Sequence, residues 1–462
     1  MATNTSWNAQ LFSRYHRLHA QYHSYPAPEH AQYPISVFER YSALRSSRAL
    51  QRPLALNINI PFCANACYNC THKTTITKDR SRSTAYLQSL EHEIRMLAPH
   101  IRTATPITQL HIGGGTPTFL NSLELRQLMR CLQQHFNIVS HNFCNYSIDI
   151  DPRETDWATM GVLRDIGFNG IHIMVQALDA QVQRAINCLH TVEHTQKIVE
   201  AARTLQFRQV SISLTYGLPK QTPQAWNTTL SETLLLAPDR IRLQAFMHQP
   251  EQYPIQQRIV ATDIPSTPDL ALMLSDSLEQ LANAGYRYIG MDYFALADDE
   301  YSTAQEDGAL YCGPLGYSTC ASSDTLGFGA GAISQLGELY YCTSTDHTAY
   351  QSACNTHQLP AAYGVRHNAE HNLRKDILDG LNTQFSLDFK TIEQRYHIDF
   401  QAYFSKEWPQ LQRMHNDGLL QLSEDSLHMT PQGRLFTLAV CQIFDQYLAQ
   451  PTLKPGVRTQ VI

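Results

Sequence analysis

The sequence predicts an α/β chain: a partial (β/α) barrel followed by a smaller, mostly helical, winged-helix-like C-terminal domain. Three observations carry this. Between about residues 53 and 335 the hydrophobic period switches repeatedly from strand-like to helix-like, and about six or seven such repeats describe a parallel sheet wrapped by helices. The residues best suited to chemistry fall just after the strand-like runs, where barrels of this kind place their active sites. Beyond about residue 365 the alternation gives way to helical runs.

Taken in order, "LALNINI" (54–60) alternates, with Leu54, Leu56, Ile58 and Ile60 on one face and Ala55, Asn57 and Asn59 on the other. Asn57 and Asn59 are therefore expected to face the barrel interior. A helix follows with Leu87, Leu90, Ile94 and Leu97 in one stripe. "ITQLHI" runs into "GGGTPT", then a helix repeats Leu125, Leu128, Met129 and Leu132. "NYSIDID" leads to a helix around Trp157, Leu163 and Ile166, and "GIHIMVQ" to one carrying Ile198, Val199, Ala202 and Leu205. "QVSISLTYGLP" and "RIRLQAFM" supply two more strands, with helices near Trp226 and from Leu272 to Leu281. "YRYIGMDYF" (286–294) reads as one further strand. In the C-terminal part, "DGLLQLSEDSLHMTPQGRL" reads as a helix end, a short hairpin and another helix. It lacks a basic face, so it is read as a lid or packing domain. The expected division is an N-terminal extension packing on the barrel (1–52), the barrel with its substrate region (53–364) and the C-terminal domain (365–462).

A formal net charge of −6 gives no reason to expect nucleic acid as a partner. No apolar run approaches the length of a bilayer span, and the first residues lack the apolar core of a signal peptide. The expected location is cytoplasmic, where the eleven cysteines are thiols or ligands rather than disulfides. Eight of them are scattered singly and read mostly as small buried hydrophobes. The dispersed histidines read as solvated or hydrogen-bonded.

The loop "IPFCANACYNCTHK" differs from the rest. It places Cys63, Cys67 and Cys70 in a C-x3-C-x2-C spacing, with His72 two residues on. Two chemistries fit. Zinc would take His72 as its fourth ligand, but such ions are usually gripped by two close pairs from separate pieces of chain. A [4Fe–4S] cluster held by three thiolates leaves one iron open for a ligand. The spacing, its place after the first barrel strand and Tyr68 within it favour the cluster. His72 is then expected to be a surface loop histidine.

"NINIPFCANACYNC", "LHIGGGTPTFLN", "IDIDPRE", "VQALDAQVQRAIN", "YGLPKQTP", "YIGMDYFALADDE" and "LGFGAGAIS" together resemble the oxygen-independent coproporphyrinogen III oxidases (HemN), a family of radical S-adenosylmethionine enzymes. The resemblance runs from "QYHSYP" to "MTPQGRL". It implies a radical-SAM barrel in which Cys63, Cys67 and Cys70 hold a [4Fe–4S] cluster and S-adenosylmethionine chelates the open iron. Reductive cleavage then yields a 5′-deoxyadenosyl radical that takes a hydrogen from a propionate β-carbon. Carbon dioxide leaves and a vinyl group remains. It further implies a tetrapyrrole substrate, a reductant protein such as flavodoxin or ferredoxin, and a monomer.

For the first S-adenosylmethionine the matching positions are Asn57, Gly114, Asp149 and Ile333. For a second they are Asn69, Gly115, Thr116, Gln176, Cys188, Ser213 and Met247. Only Gly115, Thr116 and Gln176 keep the family's residue type at the second set. The family carries an aromatic at Asn69, an arginine at Cys188 and an acid at Ser213. Arginine binds a carboxylate through a bidentate pair and an acid holds an ammonium, whereas cysteine and serine do neither. At the first set tyrosine gives way to Asn57 and glutamate to Asp149, while nearby Asn59 and His72 replace histidine and cysteine. The expectation is a divergent member that keeps its cluster and one S-adenosylmethionine, with the second site lost. The alternatives are a catalytically silent paralogue that stores, carries or senses a cluster, haem or porphyrin, and a zinc-stabilised barrel.

Overall fold

One continuous sheet of thirteen strands organises the molecule; the computed structural model describes residues 9–16, 22–27, 30, 33–102, 104–138, 144–321 and 324–448. In chain order the strands are β1 (Tyr33–Ile35), β2 (Leu54–Ile60), β3 (Ile107–Gly114), β4 (Asn145–Ile150), β5 (Gly170–Gln176), β6 (Gln209–Tyr216), β7 (Arg240–Ala245), β8 (Tyr286–Gly290), β9 (Tyr293–Leu296), β10 (Asp324–Phe328), β11 (Ile333–Leu336), β12 (Leu339–Thr343) and β13 (Ala362–Arg366). Across the sheet they lie β1-β13-β12-β11-β10-β2-β3-β4-β5-β6-β7-β9-β8. From β10 through β7 all pairings are parallel, and both flanks are antiparallel.

The parallel strands follow the hydrophobic pattern. In β2 the residues on both faces are buried or nearly so, as expected of a parallel strand with helices outside and other side chains inside. The helix Ser81–Leu97 buries Leu87, Leu90, Ile94 and Leu97 against the sheet. The helix Ser122–His135 begins in a capping box between Asn121 and Glu124 that satisfies its free N–H groups.

Two readings differ from what the chain does. Residues 286–294 form a hairpin rather than one strand: Met291 and Asp292 both take positive φ, 44° and 69°, and reverse the chain between β8 and β9. The β9 strand then runs antiparallel to β7 and ends the parallel sheet there. The N-terminal segment also divides its packing. The helix Val37–Leu50 sits on the barrel, where buried Arg40 lies 3.7 Å from buried Glu93 and over the Tyr341 ring. Glu93 accepts from Tyr350 Oη and from the Gly329 N–H, both at 2.8 Å. Leu11, Tyr22 and Tyr25 instead join the core of the C-terminal part, with Leu381, Phe400 and Phe444. Arg14 and Tyr15 reach Asp417, and Tyr22 Oη donates to Asp445 at 2.6 Å.

The C-terminal core is built on the helix Ala369–Gln384 and closed by a hairpin, Leu420–Leu422 with Ser426–Met429, to which Ser386–Asp388 adds a third strand. Among the described residues no helix is long and apolar enough to cross a membrane.

Candidate active site

The cysteine loop leaves the end of β2 and is pinned at both ends. Phe62–Cys63 pairs in parallel with Thr75–Ile76. The Tyr68 N–H donates to Ile186 O at 2.8 Å, and Asn187 Nδ2 to Ala66 O at 2.7 Å. The loop thus turns Cys63, Cys67 and Cys70 onto a cavity of about 510 Å³ at the ends of the parallel strands.

Each thiol meets its own donor. Thr116 Oγ1 lies 3.6 Å from Cys63 Sγ, Arg153 Nη2 lies 3.0 Å from Cys67 Sγ, and the His72 N–H lies 3.4 Å from Cys70 Sγ. Donors aimed at ligating sulfurs set their charge and orientation. Burial raises the Cys63 thiol and pushes Cys70 up to about 12, so both favour the neutral form until a cation replaces the proton. Cys67 is held below its ordinary value by the Cys188 thiol donating to it, against burial, with help from the Arg153 guanidinium. Among the described residues no three His, Cys, Asp or Glu side chains converge on a point that a single metal ion could occupy. Zinc needs a tight tetrahedron; a [4Fe–4S] cluster needs three thiols opening on one cavity, as these do. His72 is not a surface residue as expected: it lines the cavity, with Nδ1 3.9 Å from Cys70 Sγ.

Beside the loop, the end of β3 presents bare backbone. A Cβ on Gly114 would fall 1.8 Å from Asn59 Oδ1, and its φ is +107°; one on Gly115 would fall 2.5 Å from Phe62 O. Only glycine fits both positions, leaving main-chain edges open to a ligand. Asp149, at the end of β4, brings a carboxylate to this wall, and Asp151 just beyond it is paired with Arg153. Asp149 Oδ1 lies 3.1 Å from His172 Nδ1 and its Oδ2 lies 3.6 Å from His111 Nε2. Burial alone would raise its carboxyl, but the two histidines hold it far below the usual carboxylate range. His172 Nε2 is in turn 2.5 Å from Ser213 Oγ, and His111 Nδ1 is 3.0 Å from Ser147 Oγ.

Of the residues singled out from the sequence, Cys63, Cys67, Cys70, Asn69, Gly114, Gly115, Thr116, Asp149, Gln176 and Met247 line this cavity. Gln176 takes φ +68° where the β5–β6 register shifts, a conformation non-glycine residues hold only under constraint. Its Oε1 accepts from Asn69 Nδ2 at 3.1 Å and from Thr215 Oγ1 at 2.6 Å. Four other positions are not on the wall. Asn57 is buried beneath it with Oδ1 unpartnered. Ser213 is fully buried behind His172. Cys188 packs behind Cys67 among Val182, Ile186 and Phe246, so it is not merely one of the scattered cysteines. Ile333 belongs to a small apolar cluster with Tyr340 and Val365.

The sequence reading passed over His111, His172, Arg153 and Arg242. The signal was present in the period: "LHI" and "IHI" place a histidine between apolar strand residues, and "RIRL" places Arg242 opposite in phase to Ile241 and Leu243. Cross-strand register aligns Asp149 with His172 and Ser213 with Arg242, which sequence spacing alone does not reveal.

A family model for the radical SAM superfamily matches residues 58–232, and one for the HemN C-terminal domain matches residues 368–436. The chain is 44% identical to an oxygen-independent coproporphyrinogen III oxidase of Pseudomonas aeruginosa, over 97% of each chain. It is 33% identical to that of Escherichia coli over 96% of each. The solved structure of the Escherichia coli protein, described as coproporphyrinogen III oxidase (HemN), a radical SAM enzyme, superposes with a TM-score of 0.89 over 96% of this chain and 99% of that one. The chain belongs to the oxygen-independent coproporphyrinogen III oxidase family.

Proposed function

We propose that the protein converts coproporphyrinogen III to protoporphyrinogen IX without oxygen, turning two propionates into vinyl groups in haem biosynthesis. The observation that carries this is the likeness along the whole length, 44% over 97% of both chains. It spans the cysteine loop, the glycine edge and the C-terminal domain together, which favours the oxidase over a storage or carrier role.

Each round removes one hydrogen atom from a propionate β-carbon, then carbon dioxide and one electron, which passes to an external electron acceptor, and the remaining pair closes the C=C bond. A [4Fe–4S] cluster and S-adenosylmethionine, when bound, supply the hydrogen-atom abstraction. The thiols fit such a cluster, because each has a donor and all three open on one cavity. Cys63, Cys67 and Cys70 would hold it. Gly114, Gly115 and Thr116 would offer the backbone edge to the cofactor, and Asp149, fixed by His111 and His172, would accept from ribose hydroxyls. Gln176, tied by Asn69 and Thr215, would orient a polar group of the ligand. One S-adenosylmethionine is assigned to this wall, since Cys188 and Ser213 lie behind it. A flavodoxin- or ferredoxin-type protein would deliver electrons to a monomer, in a reducing compartment such as the cytoplasm that preserves free thiols.

The test is an anaerobic assay of the reconstituted protein with S-adenosylmethionine, reductant and coproporphyrinogen III. Mass spectrometry follows 5′-deoxyadenosine and decarboxylated porphyrinogen together. Both rising in step is the expected result. Deoxyadenosine without decarboxylation would replace the substrate, and neither product from protein loaded with iron and sulfide would end the oxidase reading.

A further inference from the structure

The same cavity carries an arginine that has no acidic partner among the described residues. Arg242, on β7, is 8% exposed and lines the cavity. Its Nε has no hydrogen-bond partner among the described residues, and its guanidinium carbon stands 5.1 Å from the Tyr293 ring centroid. His23, from the N-terminal segment, is also 8% exposed and lines the cavity, and both of its ring nitrogens lack partners among the described residues. Both side chains line the one cavity, and burial, then the positive charge of Arg242, lowers the His23 imidazole to about 3.

A buried guanidinium without a carboxylate is costly, and a cation–π contact offsets only part of that cost. Arginine presents a planar fork matched to a carboxylate, and a histidine N–H beside it adds one further donor. These unspent donors, on residues that line the cavity, define what the ligand must bring.

We propose that Arg242 and His23 form a carboxylate-binding subsite that seats one acid group of the bound organic ligand. The source assigned is a propionate of the tetrapyrrole, which rests on the reading of the substrate above; the methionyl carboxylate of an S-adenosylmethionine carries the same chemistry. A seated propionate fixes which edge of the macrocycle faces the cysteine loop, so the subsite orients the substrate.

The experiment uses the full-length, cluster-reconstituted protein and three probes: coproporphyrin III, its tetramethyl ester, and labelled S-adenosylmethionine. Soret titration gives porphyrin affinity, and equilibrium dialysis gives S-adenosylmethionine stoichiometry. Arg242→Gln is expected to weaken coproporphyrin III by about 10- to 100-fold, the range for losing a charged hydrogen bond. It should leave the ester's affinity and the S-adenosylmethionine stoichiometry unchanged. Arg242→Lys should recover part of the loss, and His23→Gln should weaken the free acid by a smaller factor. Loss of an S-adenosylmethionine equivalent with coproporphyrin III binding intact would move the subsite to that molecule and overturn the propionate assignment. Unchanged binding of both in variants with native circular dichroism and iron content would overturn the subsite itself. If the wild-type chain binds neither porphyrin, the substrate reading fails, while the dialysis arm still decides whether Arg242 holds a carboxylate. Should Arg242→Gln not fold, His23→Gln, which replaces one buried amide-like donor by another, carries the same comparison.

Discussion

The two walls of the cavity are built on different terms. On the wall formed by the ends of β2 to β5, most of the polar groups already have partners: each cysteine has a donor, Asp149 has two histidines, and Gln176 has Asn69 and Thr215, while Asn69 Oδ1 has none among the described residues. On the wall formed by β7 and the N-terminal segment, Arg242 Nε and both nitrogens of His23 have none among the described residues. Satisfied networks hold a geometry in readiness. Unsatisfied buried donors store a cost that only a ligand removes. The first wall is thus arranged to position a cofactor and the second to be completed by a substrate.

The largest blow to this contrast falls on the first wall. Cys67→Ala should abolish the cluster's visible absorption and all turnover; an unchanged spectrum would sink the ligand assignment. Next comes Asp149→Asn, which keeps the shape but removes the charge that faces His111 and His172. Turnover should fall by about 10²-fold or more, on the scale of losing a charged positioning contact, with iron content unchanged. A full rate would mean that Asp149 only braces the histidines. Gly114→Ala should lower S-adenosylmethionine affinity and destabilise the fold by roughly 1–3 kcal/mol, through overpacking against Asn59 and a φ that resists a side chain; calorimetry reads both.

Buried histidines give a pH-dependent test. Burial, with its neighbours, lowers His23 to about 3 and His367 to about 4, so each stays neutral in the folded chain where the unfolded chain binds a proton. Stability from each is full above about pH 6.5 and is lost as pH falls toward the folded value, at up to about 1.4 kcal/mol per pH unit. Denaturant unfolding between pH 7 and 5 should show that slope, and His367→Gln should flatten it without changing coproporphyrin III affinity. An unaltered slope would remove His367 from the account. The smallest effect belongs to the surface: Asp417→Asn, which weakens the contacts from Arg14 and Tyr15, should leave the unfolding midpoint nearly unchanged, read in the same unfolding curves.

How far these walls could be read from the sequence follows from how local each is. The cysteine loop and the glycine edge are consecutive residues whose spacing states their chemistry, and the alternating strands that carry them are legible from the period. The turn at Met291 and Asp292 was not, because "YRYIGMDYF" has no loop-length break, and the reversal rests on two residues in positive φ. His111, Asp149, His172 and Ser213 come from four strands, and Arg242 and His23 are 219 residues apart (242 − 23). Register and tertiary packing make those contacts, and neither leaves a mark on local pattern. Cys188 shows the same limit: a lone cysteine in the sequence, it stands behind Cys67 in space.

The sharing of one core by the two ends of the chain has a consequence for how the protein is made. Tyr22 and its partner Asp445 are separated by 423 positions, and ribosomes add about 5–20 residues each second. Leu11, Tyr22 and Tyr25 therefore spend on the order of tens of seconds outside the exit tunnel before their partners have been synthesised. During that wait an apolar segment is left uncovered, open to chaperones or to the same segment of a neighbouring nascent chain. The residues from Leu373 to Asp445 then close the core by capturing Leu11, Tyr22 and Tyr25.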